Sequence, residues 1–407
     1  MQQLPRSLVT TPRPQIGIGH CEIGPHAKEL VLEVLDSNRL SAGPMMARFE
    51  QQIATLHGCK HGLMCNSGTS ALQIALAALK ERDGWSDGDE VLVPALTFIA
   101  SSNVILYNNL TPVFVDVEPD YYCLDPAEIE RRITPRTRAI MPVHIGGLPC
   151  DMSAISEIAR AHSLRVVEDS CEAMMVSCDG RPVGSFSDIA CFSTYIAHIV
   201  STGVGGICTT NDDELFDMLK SLMNHGRDSV YTRIDDDRDP DEAAALEIPY
   251  RRFSFVRLGH SFRATEMEAA LGLAELEQHE FRHAQREHVV AQLSDALREF
   301  GDRIQLPEVR PGADHAWMFY PLVVVDPELS RDDLVAWLEA DMIETRYLLP
   351  LISQPIYRQL FGNLDGEYPV AARLNETAFY IGSHPDMTDE DVEYVADSFR
   401  RFFAARA

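Results

Sequence analysis

From about residue 60 to 225, short apolar runs alternate with stretches of helical apolar spacing, and this alternation limits the fold more than any other feature of the chain. The runs at 88–94 (GDEVLVP), 111–117 (TPVFVDV), 138–145 (RAIMPVHI), 164–169 (LRVVED) and 205–210 (GGICTT) read as strands. Between them lie ALQIALAALK, FIASSNVILYN, the stretch 126–132 and SAISEIARAH, each with apolar residues three and four apart. Strands and helices in such alternation form parallel βαβ units with helices on both faces of a mostly parallel sheet. At 407 residues the chain is too long for one ordinary core. The expected division is a large α/β domain over 1–255 and a smaller α+β domain over 256–407.

The segment 231–249 carries a dense acidic cluster and two prolines and reads as a solvated loop, with metal binding by its carboxylates as the alternative. A long helix is expected from Thr265 towards Phe300, opened by a capping box of Thr265 and Glu268. Further on, HAWMFYPLVVVD precedes a helix opened by Ser330 and Asp333, and a last helix opens at Thr388 and Asp391.

Composition narrows the function. A formal charge of −27 repels nucleic acid, although one phosphate can still be held by backbone N–H groups at a helix start. No apolar run reaches membrane-spanning length, and the first residues lack a signal peptide's apolar stretch. The nine cysteines are odd in number and none lies beyond Cys208, so free thiols in a reducing cytoplasm are expected.

Three places carry candidate chemistry, two of them at strand ends. In NSGTSALQ, small residues lead into a helix, and Gly68, Thr69 and Ser70 can dock a phosphate or simply cap that helix. Phe98, after the strand ending in PALT, can stack on a flat heterocycle or belong to the core. Asp169 ends LRVVED; its carboxylate can pair with a protonated ring nitrogen and keep a pyridine electron-poor, or cap a helix.

The stretch GRPVGSFSDIACFSTYIAHIVSTGVGG, with GDEVLVPALTF, TPVFVDV, PVHIGGLPCDM, VVEDSCEA, MNHGRD, GHSFRATEMEAALGLAELE, IETR and TDEDVEYV in family order, resembles the DegT/DnrJ/EryC1/StrS sugar aminotransferases. The resemblance covers nearly the whole chain. It implies the type I, aspartate-aminotransferase-like fold of enzymes using pyridoxal 5'-phosphate or pyridoxamine 5'-phosphate, acting as a homodimer on a nucleotide sugar. It also implies that Ser193 holds the cofactor phosphate, that Asp169 pairs with the pyridine nitrogen, and that Asn224 reaches the neighbouring subunit's phosphate.

The family's cofactor-binding lysine lies five residues after the serine and eight before the last glycine of G-x-G-G. Both counts give His198. The chain has four lysines, Lys28, Lys60, Lys80 and Lys220, none of them close in sequence. An imidazole is not a primary amine and cannot bind the cofactor as an imine. This replacement resembles the subgroup of nucleotide-sugar 3-dehydratases, in which the histidine is a base. Glu172, where aminotransferases carry glutamine, and the segments HAWMFYPL and NETAFYIGSHP lean the same way. Ile196 and Val204 depart from the family pattern.

A branch of that subgroup holds an iron–sulfur cluster on cysteines after the GRD motif. No cysteine follows Gly226 here, so no metal is expected, and glutamate is the implied amino donor that recharges the cofactor. The competing readings are an aminotransferase-type reaction without a covalent lysine link and a cofactor-binding pseudoenzyme.

Overall fold

The computed structural model describes residues 14–19, 22–228 and 253–406; the acidic segment 231–249 lies outside them. A seven-stranded sheet has the order β1-β9-β8-β5-β4-β2-β3. Its strands are β1 (His61–Cys65), β2 (Glu90–Pro94), β3 (Thr111–Val115), β4 (Thr137–Ile140), β5 (Arg165–Asp169), β8 (Ile189–Ser193) and β9 (Gly206–Thr210). The two-residue strands β6 (Ser177–Cys178) and β7 (Arg181–Pro182) form a separate ribbon. Helices α1 (Pro25–Ser37), α2 (Pro44–Leu56), α3 (Gly68–Asp83), α4 (Ile99–Tyr107), α5 (Pro126–Ile129), α6 (Met152–His162) and α7 (Asp213–Met223) complete this part. β2 and β8 are buried along their whole length, as strands covered on both faces must be.

The sheet departs from the sequence expectation in two ways. β1 and β8 were not among the expected strands, and β9 runs antiparallel to both of its neighbours. A parallel return needs a crossover, usually a helix. Here β8 turns straight into β9 through a hairpin loop laced by Thr194 N–H to Gly205 O (3.0 Å) and Thr202 N–H to Thr194 O (2.8 Å).

The helix expected over 265–300 is broken into α8 (Glu266–Leu276) and α9 (His279–Leu297). α8 buries Ala269, Ala270 and Leu273 with residues of α1 and α2, whereas α9 buries Val289, Leu293 and Leu297 in a different core. Because the halves serve separate cores, the chain turns between them. The capping box at Thr265 and Glu268 forms as expected. Next to it, the buried Glu266 carboxylate accepts the N–H groups of Gly43, Met45 and Met46 at 2.8–3.0 Å and closes the start of α2.

A four-stranded antiparallel sheet follows, ordered β10-β11-β13-β12: β10 (Ile304–Gln305), β11 (Tyr320–Val324), β12 (Thr345–Tyr347) and β13 (Ala378–Ile381). The helices here are α10 (Arg331–Ala340), α11 (Pro355–Phe361), α12 (Pro369–Thr377) and α13 (Asp389–Ala404). α13 opens with the expected box of Thr388 and Asp391 and packs Phe399, Phe402 and Phe403 with the apolar face of α9. Met318, Phe319 and Val323 join the core of the large sheet, so the second sheet is seated against the first. Among the described residues no helix is long and apolar enough to cross a membrane.

Candidate active site

The candidate residues gather at the carboxyl ends of the parallel strands, where open α/β sheets bind ligands. After β1 the chain turns at Asn66–Ser67 into α3, one residue earlier than the sequence suggested. Ser67 is the cap: its hydroxyl oxygen accepts the Ser70 N–H at 3.0 Å. The Ser70 hydroxyl donates to Asn66 Oδ1 at 2.7 Å and also accepts from Ser67 at 2.9 Å, so Ser70 serves the turn itself. Thr69 makes no side-chain hydrogen bond among the described residues and is half-buried. Two glycines allow the turn to sit on the strand ends. A Cβ on Gly68 would lie 2.8 Å from Ser193 Cβ and 2.8 Å from Cys171 Sγ, and one on Gly206 would lie 2.3 Å from the Ser67 backbone. Gly68 therefore lets the start of α3 pack directly against Ser193 and Cys171.

Asp169 closes β5 and is buried. Its Oδ2 accepts the Ser101 hydroxyl at 2.7 Å and its Oδ1 accepts the Cys171 N–H at 3.2 Å. Ser101 is held in turn by the Thr97 hydroxyl at 2.9 Å. Burial pushes the Asp169 pKa up, and the bonds from Ser101 and Cys171 work against that. No basic side chain forms an ion pair with it among the described residues. Beside Thr97, Phe98 is the N-cap of α4 and leaves 58% of its surface exposed, although β2 leading up to it is buried. It is not a core aromatic.

Glu172 lies in the turn after β5. Its Oε2 accepts the Gly146 N–H at 2.6 Å, and burial, reinforced by Asp169, pushes its pKa to about 8. Such a carboxyl is mostly protonated at neutral pH and can donate a hydrogen bond.

His198 lies in the β8–β9 loop, whose base is fastened by the paired hydroxyls of Thr194 and Thr202 at 2.6 Å. Its N–H donates to Tyr195 O at 2.8 Å, and its Nδ1 lies 3.3 Å from the sulfur of Met318. Burial alone pushes its pKa down to about 4, so the imidazole is neutral at pH 7. Tyr195, Ile196 and Val204 on the same loop are about half exposed. All four lysines lie elsewhere: Lys60 pairs with Asp213, Lys80 with Asp87, Lys220 with Asp217, and Lys28 is exposed on α1.

Asn224 makes no side-chain hydrogen bond to these residues among the described residues. It ends α7, is buried, and its Oδ1 accepts from Arg263 at 3.1 Å. Ser101, Gly146 and Met318 were not singled out in the sequence. Ser101 lies in the stretch FIASSNVILYN and Met318 inside HAWMFYPL; nothing local marks either as meeting Asp169 or His198, 68 and 120 residues away. The eight described cysteines are free thiols, and all but Cys171 are buried.

Comparison with known proteins gives the family and the fold. The model of the DegT/DnrJ/EryC1/StrS aminotransferase family matches residues 22–400. GDP-perosamine synthase of Caulobacter vibrioides is 36% identical, covering 97% of this chain and 98% of its own. The dTDP-4-dehydro-2,6-dideoxy-D-glucose 3-dehydratase of Saccharopolyspora spinosa is 31% identical, covering 90% of this chain and 82% of its own. Among solved structures, DesV of S. venezuelae aligns with a TM-score of 0.84 at 30% identity, covering 96% of this chain and 99% of its own. The GDP-4-keto-6-deoxy-D-mannose-3-dehydratase of E. coli aligns at 0.85 with 21% identity, covering 95% and 100%; at that identity the likeness speaks for the fold alone.

Proposed function

This chain belongs to the DegT/DnrJ/EryC1/StrS aminotransferase family, and we propose that it is a pyridoxal-phosphate-dependent enzyme that dehydrates a nucleotide-linked 4-keto sugar at carbon 3, with His198 as the base. The observation that carries this reading is His198 itself. It stands where the family carries a lysine, and all four lysines of the chain lie elsewhere.

The residues present fit the cofactor. Asp169 is a buried carboxylate with no cationic partner among the described residues, which a protonated pyridine nitrogen would supply. Phe98 offers an exposed ring beside it for stacking. Thr69, Ser193 and the first N–H groups of α3 would hold the phosphate, with Gly68 letting α3 start close to Ser193, and Asn224 would serve the partner subunit's phosphate in a homodimer. Ser70 contributes by fixing the turn. Bound in its amine form, the cofactor supplies an electron sink conjugated with the sugar, so that loss of a proton from its C4′ can expel the C3 hydroxyl.

His198 would take that C4′ proton. A neutral imidazole is ready to accept it, and burial keeps the imidazole neutral. Its short, stiff side chain is poorly suited to carrying the proton on to the sugar carbon, the task for which lysine's long stem serves in amino transfer. Glu172, protonated through burial, would donate a hydrogen bond from its carboxyl while still accepting the Gly146 N–H. Glutamate is the amino donor this reading implies.

The second reading is amino transfer, favoured by the likeness to GDP-perosamine synthase. The full-length chain, incubated with pyridoxamine phosphate and GDP- or dTDP-linked 4-keto-6-deoxy sugars, distinguishes them by mass spectrometry. A 3-deoxy product with released ammonia is expected, and His198→Asn should lower its rate by roughly 100- to 10,000-fold. An amino-sugar product, or full activity in His198→Asn, overturns the dehydratase reading.

A further inference from the structure

The polar contact of the His198 imidazole is not with a carboxylate or a carbonyl but with a thioether. Its Nδ1 lies 3.3 Å from Met318 Sδ, and no other side-chain hydrogen bond of the imidazole is present among the described residues. A thioether sulfur has no hydrogen to give and can only accept. A hydrogen bond across this contact therefore requires the proton on Nδ1.

Met318 is well fixed for such a role. Its backbone N–H donates to Gly146 O at 2.9 Å, and two residues earlier Ala316 N–H donates to Gly147 O at 2.9 Å. Between them Trp317 adopts a positive φ of 52°, and its carbonyl accepts from Ser383 Oγ at 3.0 Å and Arg286 Nη1 at 3.2 Å. Met318 is itself buried in the main core. On the opposite side, Gly146 donates its N–H to Glu172. One short backbone segment thus sets the placement of both Glu172 and the sulfur that meets His198.

We propose that Met318 is a positioning residue that fixes the tautomer of His198, holding the hydrogen on Nδ1 and leaving Nε2 as the nitrogen with the free lone pair. Which ring nitrogen keeps a free lone pair is set by the hydrogen bond that the other nitrogen donates. Sulfur is a weak, uncharged acceptor, so it orients the ring without providing the counter-charge that a carboxylate gives an imidazolium. A base held in this way accepts a proton at Nε2 and is not stabilised in keeping it. The catalytic consequence rests on the function proposed above; the tautomer does not.

The full-length chain labelled with 15N-histidine tests this directly, with the His198 signals assigned by their loss in His198→Asn. Above pH 6 the parent should show a protonated Nδ1 and an unprotonated Nε2 at His198. Met318→Leu keeps the side-chain volume but removes the acceptor, and should lose the Nδ1–H preference, passing to the Nε2–H form or a mixture. Its kcat should fall roughly 10- to 100-fold with KM little changed. An Nε2–H tautomer in the parent, or an unchanged Nδ1–H tautomer in a folded Met318→Leu, overturns the proposal. The parent measurement alone decides the matter should the leucine variant fail to fold. A parent with the Nδ1–H tautomer but no dehydration would defeat the proposed function and leave the role of Met318 intact.

Discussion

Ser101 donates its hydroxyl hydrogen to Asp169 Oδ2 at 2.7 Å, joining the first turn of α4 to the end of β5. Burial disfavours the charged carboxylate, and this bond favours it. Ser101→Ala should therefore raise the Asp169 pKa further and weaken retention of pyridoxal phosphate. A loss of about 1–2 kcal/mol, or roughly 5- to 30-fold in Kd, is expected from a hydrogen bond to a charged group. An absorbance titration with the cofactor measures it, and an unchanged Kd would show that Ser101 does not tune Asp169.

Glu172 ties stability to pH. Its carboxyl is pushed from 4.5 to about 8 by burial, so between those values the folded chain holds a proton that the unfolded chain has released. Its contribution to stability is then fully present below about pH 4.5 and is lost as pH rises through about 8. Glu172→Gln does not titrate, and its side-chain oxygen can still accept the Gly146 N–H. Relative to the parent, the variant should gain on the order of a few kcal/mol between pH 5 and pH 8. Urea unfolding at both pH values measures this. Parallel pH dependence in the two proteins would mean that Glu172 is ionised in the native state.

His198→Lys returns a primary amine to the loop between β8 and β9. Borohydride reduction in the presence of pyridoxal phosphate should then attach the cofactor covalently at position 198, seen as a mass increase on that peptide. In the parent the cofactor should come away on denaturation. An adduct on Lys28, Lys60, Lys80 or Lys220 in the parent would contradict the reading of position 198.

The close approach of α3 to the sheet predicts a contrast between glycines. Gly206→Ala places a Cβ 2.3 Å from the Ser67 backbone, and Gly68→Ala places one 2.8 Å from Ser193 Cβ. Each should destabilise the chain by about 1–3 kcal/mol and reduce cofactor binding. Gly24→Ala meets nothing within 4 Å at a φ of −67° and should change stability by less than about 0.5 kcal/mol. Thermal melts of the three variants decide this, and equal behaviour would refute the packing argument.

Much of this molecule was legible in the chain because the signals are local. The capping boxes at Thr265–Glu268 and Thr388–Asp391 formed where the spacing put them, since both partners lie within one helical turn. Apolar periodicity gave the βα alternation for the same reason. The alignment of motifs gave position 198 by counting alone, and no folding step alters a count.

Other features depend on residues distant in the chain and had no local mark. The direction of β9 was decided by the hairpin at Thr194 and Thr202, and the break between α8 and α9 by two cores that pull successive segments apart. By itself the sequence determined which side chains are available for chemistry: a histidine at 198, an acid at 172, a carboxylate at 169. The tertiary structure alone decided their state. Burial made His198 neutral and Glu172 protonated, and contacts from Ser101, Gly146 and Met318 set how each is held. Desolvation and long-range hydrogen bonding are properties of the folded packing, so neither is written in any short stretch of residues.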